Sequence, residues 1–278
     1  MIVKNHDIDH SLFELTNLLM YVSYSFPSDR SLFELAPIWN NLAQVYIYLT
    51  GVKTNYLTTT SKMPNQSFGF SARYCKTGSI LHKIKGSICE PCYGLGGMYR
   101  FKHYKNKSER TIDSLSKSHW KEAMLFILKR KRFKDNRFRW LDNGDLQSVK
   151  MLEDICWIAE RTPKLKHWLP TKEVGFVKRW RYNGGVKPSN LSIRLSTPMI
   201  NGKPLIKLAR RLGVQCSVAS DTERFVGKQK KPYNSNYVKC HTSHSIRDNY
   251  NGSQDLSKCG SCSACWNQSV DTIYYEVH

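Results

Sequence analysis

The 278-residue chain carries 43 Lys and Arg against 22 Asp and Glu, a formal net charge of +21, and 40% of its residues are apolar. That apolar content fills a core and excludes a chain disordered throughout, and the lack of any apolar run of about 18 residues excludes a helical membrane span. The positive excess calls for a polyanionic partner, because phosphates gain from neutralisation and counterion release; nucleic acid is therefore expected.

Nine cysteines, an odd number gathered at short spacings, argue for metal binding in a reducing, cytoplasmic compartment and against a secreted disulfide framework.

In chain order, Ser11 and Ser31 each open the string SLFEL, with Glu14 and Glu34 three residues later. This is the capping box of a helix start, so the first fifty residues read as two helices within an N-terminal helical region, 1–67. Phe13, Tyr21, Trp39 and Tyr46 read as packing residues. From about residue 68 the chain becomes rich in Gly and Cys, with Cys75 followed by Cys89-Glu-Pro-Cys92-Tyr93-Gly94 and His82 between them. Three thiolates can hold a [4Fe-4S] cluster with one iron open, or a zinc completed by His82 or water.

A helix is expected over Ser116 to Lys131, with Trp120, Met124, Leu125 and Leu128 on one face. Five short apolar runs follow: Phe138–Asp142, His167–Thr171, Leu191–Ser196, Val214–Ser220 and Tyr237–Cys240. Helical patterns at Gln147–Arg161 and Lys203–Leu212 separate some of them. This alternation predicts a parallel α/β fold, a full or partial β/α barrel over 68–236, with a doubly wound open sheet as the alternative. A barrel places its active site at the C-terminal ends of its strands, which here carry Asp142, Thr171, Lys172 and Ser196.

Trp140-Leu-Asp142-Asn143-Gly144-Asp145-Leu-Gln147 is the strongest catalytic candidate: a strand end, a glycine turn and two carboxylates able to divide nucleophilic and acid/base duties. Asp145 can equally cap the following helix. Lys178, Arg179, Trp180 and Arg181 lead into Tyr182-Asn-Gly-Gly185, read as a loop whose cations bind phosphates while its rings stack on bases. Lys129 to Arg132 and Lys228, Lys230 and Lys231 add charge. Cys156 and Cys216 sit at helix and strand spacing as small core residues. The C-terminal segment, 237–278, brings Cys240 together with Cys259-x2-Cys262-x2-Cys265, four thiolates for a zinc or an iron–sulfur centre.

Three resemblances attach to these residues. The Cys75…Cys89-x2-Cys92-Tyr93 block, the strand and turn Arg139 to Asp145 running on to Ala159, Pro163 before a strand ending Thr171-Lys172, and the closing Cys259…Trp266 resemble the phage gene-product-88 family, over roughly residues 68–278. The same layout is similar to a reduced radical-SAM barrel, although the spacing is C-x13-C-x2-C rather than C-x3-C-x2-C. Asp142-Asn-Gly-Asp-Leu-Gln147 resembles the D-S-G-G-F-Q turn of the tRNA-guanine transglycosylases, sharing Asp142, Gly144 and Gln147. That likeness implies a phage DNA-modifying enzyme that exchanges guanine for a 7-deazaguanine base in double-stranded DNA. Asp142 would match the family's base, Asp145 or Asp221 would act as nucleophile, and Asn143, Gly144, Gln147, Thr171, Lys172 and Ser196 would bind substrate. The alternatives are an iron–sulfur, radical-SAM-like enzyme acting on nucleic acid, and a metal-stabilised binding protein without catalysis.

Overall fold

The computed structural model describes residues 46–47, 49–53, 57–131, 133–220, 237–240, 242 and 258–277. The two N-terminal helices expected from SLFEL, the candidate nucleophile Asp221, and Lys228, Lys230 and Lys231 lie outside the described residues.

Seven strands form one sheet: β1 (Ser67–Phe68), β2 (Arg137–Trp140), β3 (Lys166–Thr171), β4 (Leu191–Ser196), β5 (Gln215–Ser220), β6 (Tyr237–Lys239) and β7 (Thr272–Glu276). Their order is β1-β2-β3-β4-β5-β7-β6, and every pairing is parallel. The α/β class and the parallel sheet agree with the sequence pattern. The first five strands run in strict chain order, as in a barrel and unlike a doubly wound sheet, whose order reverses near its middle. A reversal comes only at β5-β7-β6. Among the described residues β1 pairs only with β2 and β6 only with β7, so the closure of a full barrel is not seen.

Among the described residues, the α-helices that follow β1 are α1 (Lys76–Leu81), α2 (Lys102–Leu115), α3 (Trp120–Arg130), α4 (Val149–Glu160), α5 (Val174–Tyr182) and α6 (Ile206–Leu212). Strand side chains alternate between faces, and the two faces bury different chemistry. Phe138, Trp140, Leu169, Leu191, Ile193, Leu195 and Cys216 point to one side and share a core with the apolar faces of α3, α4, α5 and α6. Cys156 joins the same core from α4, so both isolated cysteines fill apolar space. On the opposite side stand Arg137, Arg139, Trp168 and Arg194. The C-terminal segment covers that side: Trp168 packs with Cys265, Trp266, Val270 and Ile273, and the Trp168 and Trp266 rings meet edge to face at 5.3 Å. Residues 259–270 therefore lie against the face that the helices leave open.

The segment read as a basic loop at Lys178–Gly185 is corrected: α5 runs through it to Tyr182. Val177 and Trp180, three residues apart on one helical face, are buried, and Trp180 is only 3% exposed. A Cβ built at Gly185 would stand 2.3 Å from the Trp180 ring, so the glycine exists to let the chain close over the indole. Trp180 is a core residue and not a surface ring on which a base can stack. Lys178, Arg179 and Arg181 remain exposed.

Candidate active site

Parallel order brings the C-terminal ends of β1, β2 and β3 side by side, so three loops distant in sequence meet at one edge. The loop after β1 supplies Cys75, Cys89 and Cys92; the turn after β2 supplies Asp142 to Asp145; the end of β3 supplies Thr171, Lys172 and Glu173.

The turn after β2 is tightly determined. Leu141 has φ of 53°, a conformation that bulky residues rarely adopt outside functional or strained positions. Gly144 has φ of 79°, and a Cβ there would meet the Phe70 ring at 2.6 Å. Asn143 donates to the Tyr104 hydroxyl at 3.0 Å, and its side-chain oxygen accepts from the Gly144 amide at 2.9 Å. Gln147 donates to the carbonyls of Tyr74 and Asp145 at 3.0 and 2.8 Å. Asn143 and Gln147, both expected to bind substrate, thus hold the turn to the helix that carries Tyr104 and to the loop after β1. Gly144→Ala is expected to destabilise the protein by about 2–3 kcal/mol, through both the left-handed backbone and the Phe70 contact. Thermal unfolding against Gly175→Ala, where a Cβ meets open space, checks it; equal melting temperatures for the two variants would sink the claim.

The two carboxylates are buried and occupied. Asp142 accepts from the Thr58 hydroxyl at 2.7 Å, and Gly69 leaves room for it, since a Cβ there would lie 2.0 Å from its Oδ1. Asp145 accepts from the Thr171 hydroxyl at 2.6 Å, the Leu146 amide at 2.8 Å and the Lys172 amide at 2.9 Å. Burial pushes the Asp145 carboxyl upward, opposed first by the Lys172 ammonium and then by these donors. Asp145 does not cap α4; Ser148 does, accepting from the Met151 amide at 3.0 Å. Burial would lower Lys172, but Asp145, Cys89 and Cys75 outweigh it and hold the ammonium above its usual range. The turn therefore presents a fixed carboxylate and a fixed cation beside three thiols.

The thirteen residues between Cys75 and Cys89 form α1 and a reversal that returns the chain to the same place. A Cβ at Gly78 would stand 3.5 Å from the Cys75 sulfur and 3.7 Å from the Cys89 sulfur, so both thiols border one small space. Cys92 acts electrostatically on both. Burial pushes the Cys75 thiol up to about 12 and raises Cys89 as well. Glu173 anchors the start of α1, accepting from the Thr77 amide at 2.7 Å and hydroxyl at 2.8 Å. On the far side, Ile88 donates to the Pro198 carbonyl at 3.0 Å and Ile200 to the Gly86 carbonyl at 2.9 Å. The cysteine loop thus reaches the loop after β4. Ser196, at the end of β4, pairs with Ser217 at 3.2 Å. His82 turns its Nδ1 to the Cys89 carbonyl at 2.9 Å.

Three tyrosines rim the turn, of which only Tyr93 belongs to a motif named from the sequence. Tyr93 donates to the Asp142 carbonyl at 2.7 Å, Tyr99 lies 6.0 Å from the Tyr93 ring, and Tyr104 lies 4.7 Å from Tyr99. Glu173 was also missed, although its place one residue beyond Lys172 at a strand end was a usable signal.

The second thiol set lies on the sheet's other face. Cys259 is pushed to about 11 and Cys265 to about 12, first by burial and then by neighbouring cysteines, Cys240 among them for both and Cys262 for Cys259. Two strand arginines clamp the loop that carries three of these thiols. Arg137 donates to the Gly260 carbonyl at 2.7 Å and to the Cys262 carbonyl. Arg194, fully buried, donates to the carbonyls of Cys265, Val270, Ala264 and Asn267 at 2.7–3.0 Å.

Among the described residues, no group of three or more His, Cys, Asp or Glu side chains stands arranged to hold a metal ion. The donor chemistry of both thiol sets nevertheless fits one. Each set offers soft sulfur donors, buried or half-buried, with cationic side chains at hand to balance thiolate charge, Lys172 in one and Arg137 and Arg194 in the other.

No helix among the described residues is long and apolar enough to cross a membrane. No curated protein and no solved structure matches the chain. A family model described as Gene product 88 matches residues 44–268, starting earlier than the sequence resemblance and spanning both thiol sets and the whole of β1 to β5. The chain belongs to the Gene product 88 family of bacteriophage proteins.

Proposed function

We propose that the protein is a nucleic-acid-modifying enzyme with an iron–sulfur centre on Cys75, Cys89 and Cys92, of radical-SAM-like layout. The supporting observation is that the loop carrying this trio, with the Cys75 and Cys89 sulfurs bordering one small space, lies at the C-terminal ends of a sequentially ordered parallel sheet, beside the Gly144-Asp145 turn and Lys172. A cluster held by three thiolates keeps one iron open to a ligand and exchanges single electrons. The chain's own residues do the rest. Asp145, fixed by three donors, offers a carboxylate to an amino or other cationic group. Lys172 offsets the charge of the thiolates. The tyrosine rim supplies ring faces for a planar substrate and keeps water from the buried side of the turn.

Guanine exchange would ask for a carboxylate free to attack a sugar carbon. Asp145 is engaged on both oxygens and Asp142 is held by Thr58, so these acids suit fixed electrostatic roles better than nucleophilic ones. The C-terminal thiols fit a structural metal that fastens residues 259–270 to the sheet, where binding energy is folding energy.

Purification without oxygen, with iron, acid-labile sulfide and zinc measured together, tests both centres. Near-equimolar iron and sulfide are expected, and Cys89→Ser with Cys92→Ser should remove them while leaving the circular dichroism spectrum and the metal of the C-terminal set. Zinc as the only metal, with labelled guanine released from DNA when a 7-deazaguanine is supplied, would overturn the cluster assignment in favour of guanine exchange.

A further inference from the structure

The loop that carries the first thiol set also carries most of the exposed apolar surface. Of the large hydrophobic residues exposed among the described ones, Ile80, Ile84, Tyr93, Met98 and Phe101 fall within residues 80–101, and only Tyr182 and Val186 lie elsewhere. Such grouping on one loop marks an interaction surface rather than scattered exposure. Tyr93, Met98 and Phe101 are 62%, 72% and 57% exposed. The Phe101 and His103 rings lie nearly parallel, 12° apart in plane with centroids at 5.9 Å, both facing solvent. The pair is already aligned for stacking.

Charge on this loop is one-sided. Between Arg73 and Lys107 the sole acidic residue is Glu90, while Arg73, Lys76, Lys83, Lys85, Arg100 and Lys102 are all exposed. Cations interleaved with open ring faces match the two needs of an unpaired nucleic-acid strand, phosphate neutralisation and a surface on which bases stack. A membrane surface or an acidic protein would use the cations without needing parallel rings. The basic residues of α5 serve this less well: Arg179 and Arg181 lie in its last turn, and a helix that follows β3 and leads back to the start of β4 ends away from the strands' C-terminal ends.

We infer that residues 93–103, with the flanking lysines and arginines, bind a nucleic-acid strand with unpaired bases and lead it to the thiol site. The Phe101–His103 pair stacks one base, and Tyr93, hydrogen-bonded to the Asp142 backbone, receives the next at the edge of the turn. This inference rests on the reaction centre proposed above, but binding is read without turnover, so each can fail while the other stands.

Fluorescence anisotropy with a labelled single-stranded 20-mer and its duplex, using the full chain, tests it. Phe101→Ala with His103→Ala should weaken single-strand binding roughly fivefold to a hundredfold, the range for lost base stacking, with little effect on the duplex. Arg100→Gln with Lys102→Gln should weaken both and flatten the salt dependence by about 0.7 per lost phosphate contact on the single strand. Iron content should match the parent in all four substitutions. Neutralising Lys178, Arg179 and Arg181 should leave single-strand affinity within about twofold, since each cation away from the strand path releases no counterion. Unchanged affinity in the Phe101 and His103 variant, equal losses on single strand and duplex, or a concentration-dependent dimer that the same substitutions abolish would each overturn it.

Discussion

Replacing Arg194 with Met is expected to lower the free energy of unfolding by about 3–5 kcal/mol and to release metal from the C-terminal thiols. Arg194 is fully buried at the centre of β4, and its guanidinium donates to four backbone carbonyls of residues 264–270. Methionine fills similar volume but donates nothing, so those carbonyls lose their partners in a place water does not reach. Burial lowers the guanidinium's hold on its proton, and the thiols of Cys265 and Cys216 are among the groups that oppose this. A thiolate centre would supply the negative charge that such a buried cation lacks. Urea unfolding should therefore show a lower midpoint for Arg194→Met, and zinc or iron analysis a loss confined to the C-terminal site. Arg194→Lys keeps the charge but reaches fewer carbonyls, so it should fall between. A methionine variant as stable as the parent and carrying full metal would mean that the arginine fastens nothing.

How far the sequence could be read follows from where each residue finds its partners. β4 was bounded correctly at Leu191–Ser196 because its apolar alternation is local. The same string hid the meaning of Arg194, which falls on a polar position of the alternation as an exposed residue would. Its partners lie seventy or more residues later, and nothing in Leu-Ser-Ile-Arg-Leu-Ser announces them. α2, Lys102–Leu115, was passed over because it buries only Ser108, Thr111 and Ser114, which leaves no apolar stripe. α5 reads as a loop in the sequence because glycines and cations outnumber its two buried residues. β7 was hidden behind the cysteine run, although Thr272–Glu276 pairs with β5 and β6 inside the same sheet. At the candidate site, the turn after β2 was legible from its turn chemistry, and the cysteine spacing marked the loop that reaches it. Their meeting was not legible, because it depends on β1, β2 and β3 lying in order, and β1 is only two residues long.

Acid is expected to destabilise the fold steeply through His167, and His167→Gln to remove that part of the dependence. His167 is fully buried between β2 and the end of α4. The Trp140 indole donates to its Nδ1 at 3.1 Å, and because an indole can only donate, Nδ1 must be the unprotonated nitrogen. Nε2 then carries the hydrogen and faces the Thr162 hydroxyl at 2.8 Å, which in turn donates to the Ile158 carbonyl at 2.8 Å. A second ring proton would have to enter between Nδ1 and the indole N–H, where two donors would collide. Burial pulls the imidazole from 6.5 down to about 3. The sign follows: below 6.5 the unfolded chain takes up a proton that the folded chain refuses until about 3. Stability is therefore fully present above 6.5 and lost as pH falls through that window, by at most about 5 kcal/mol if the whole shift is realised. Urea unfolding at several pH values between 7.5 and 4 provides the comparison. Gln can offer an acceptor to Trp140 and a donor to Thr162 but does not titrate, so the readout is the difference in slope and not the absolute stability, which the substitution also lowers. Carboxylates and thiols titrate in both proteins and cancel in that difference. Parallel slopes for His167→Gln and its parent would show that the imidazole accepts its proton in the folded state, and that the Trp140–His167–Thr162 chain does not fix its tautomer.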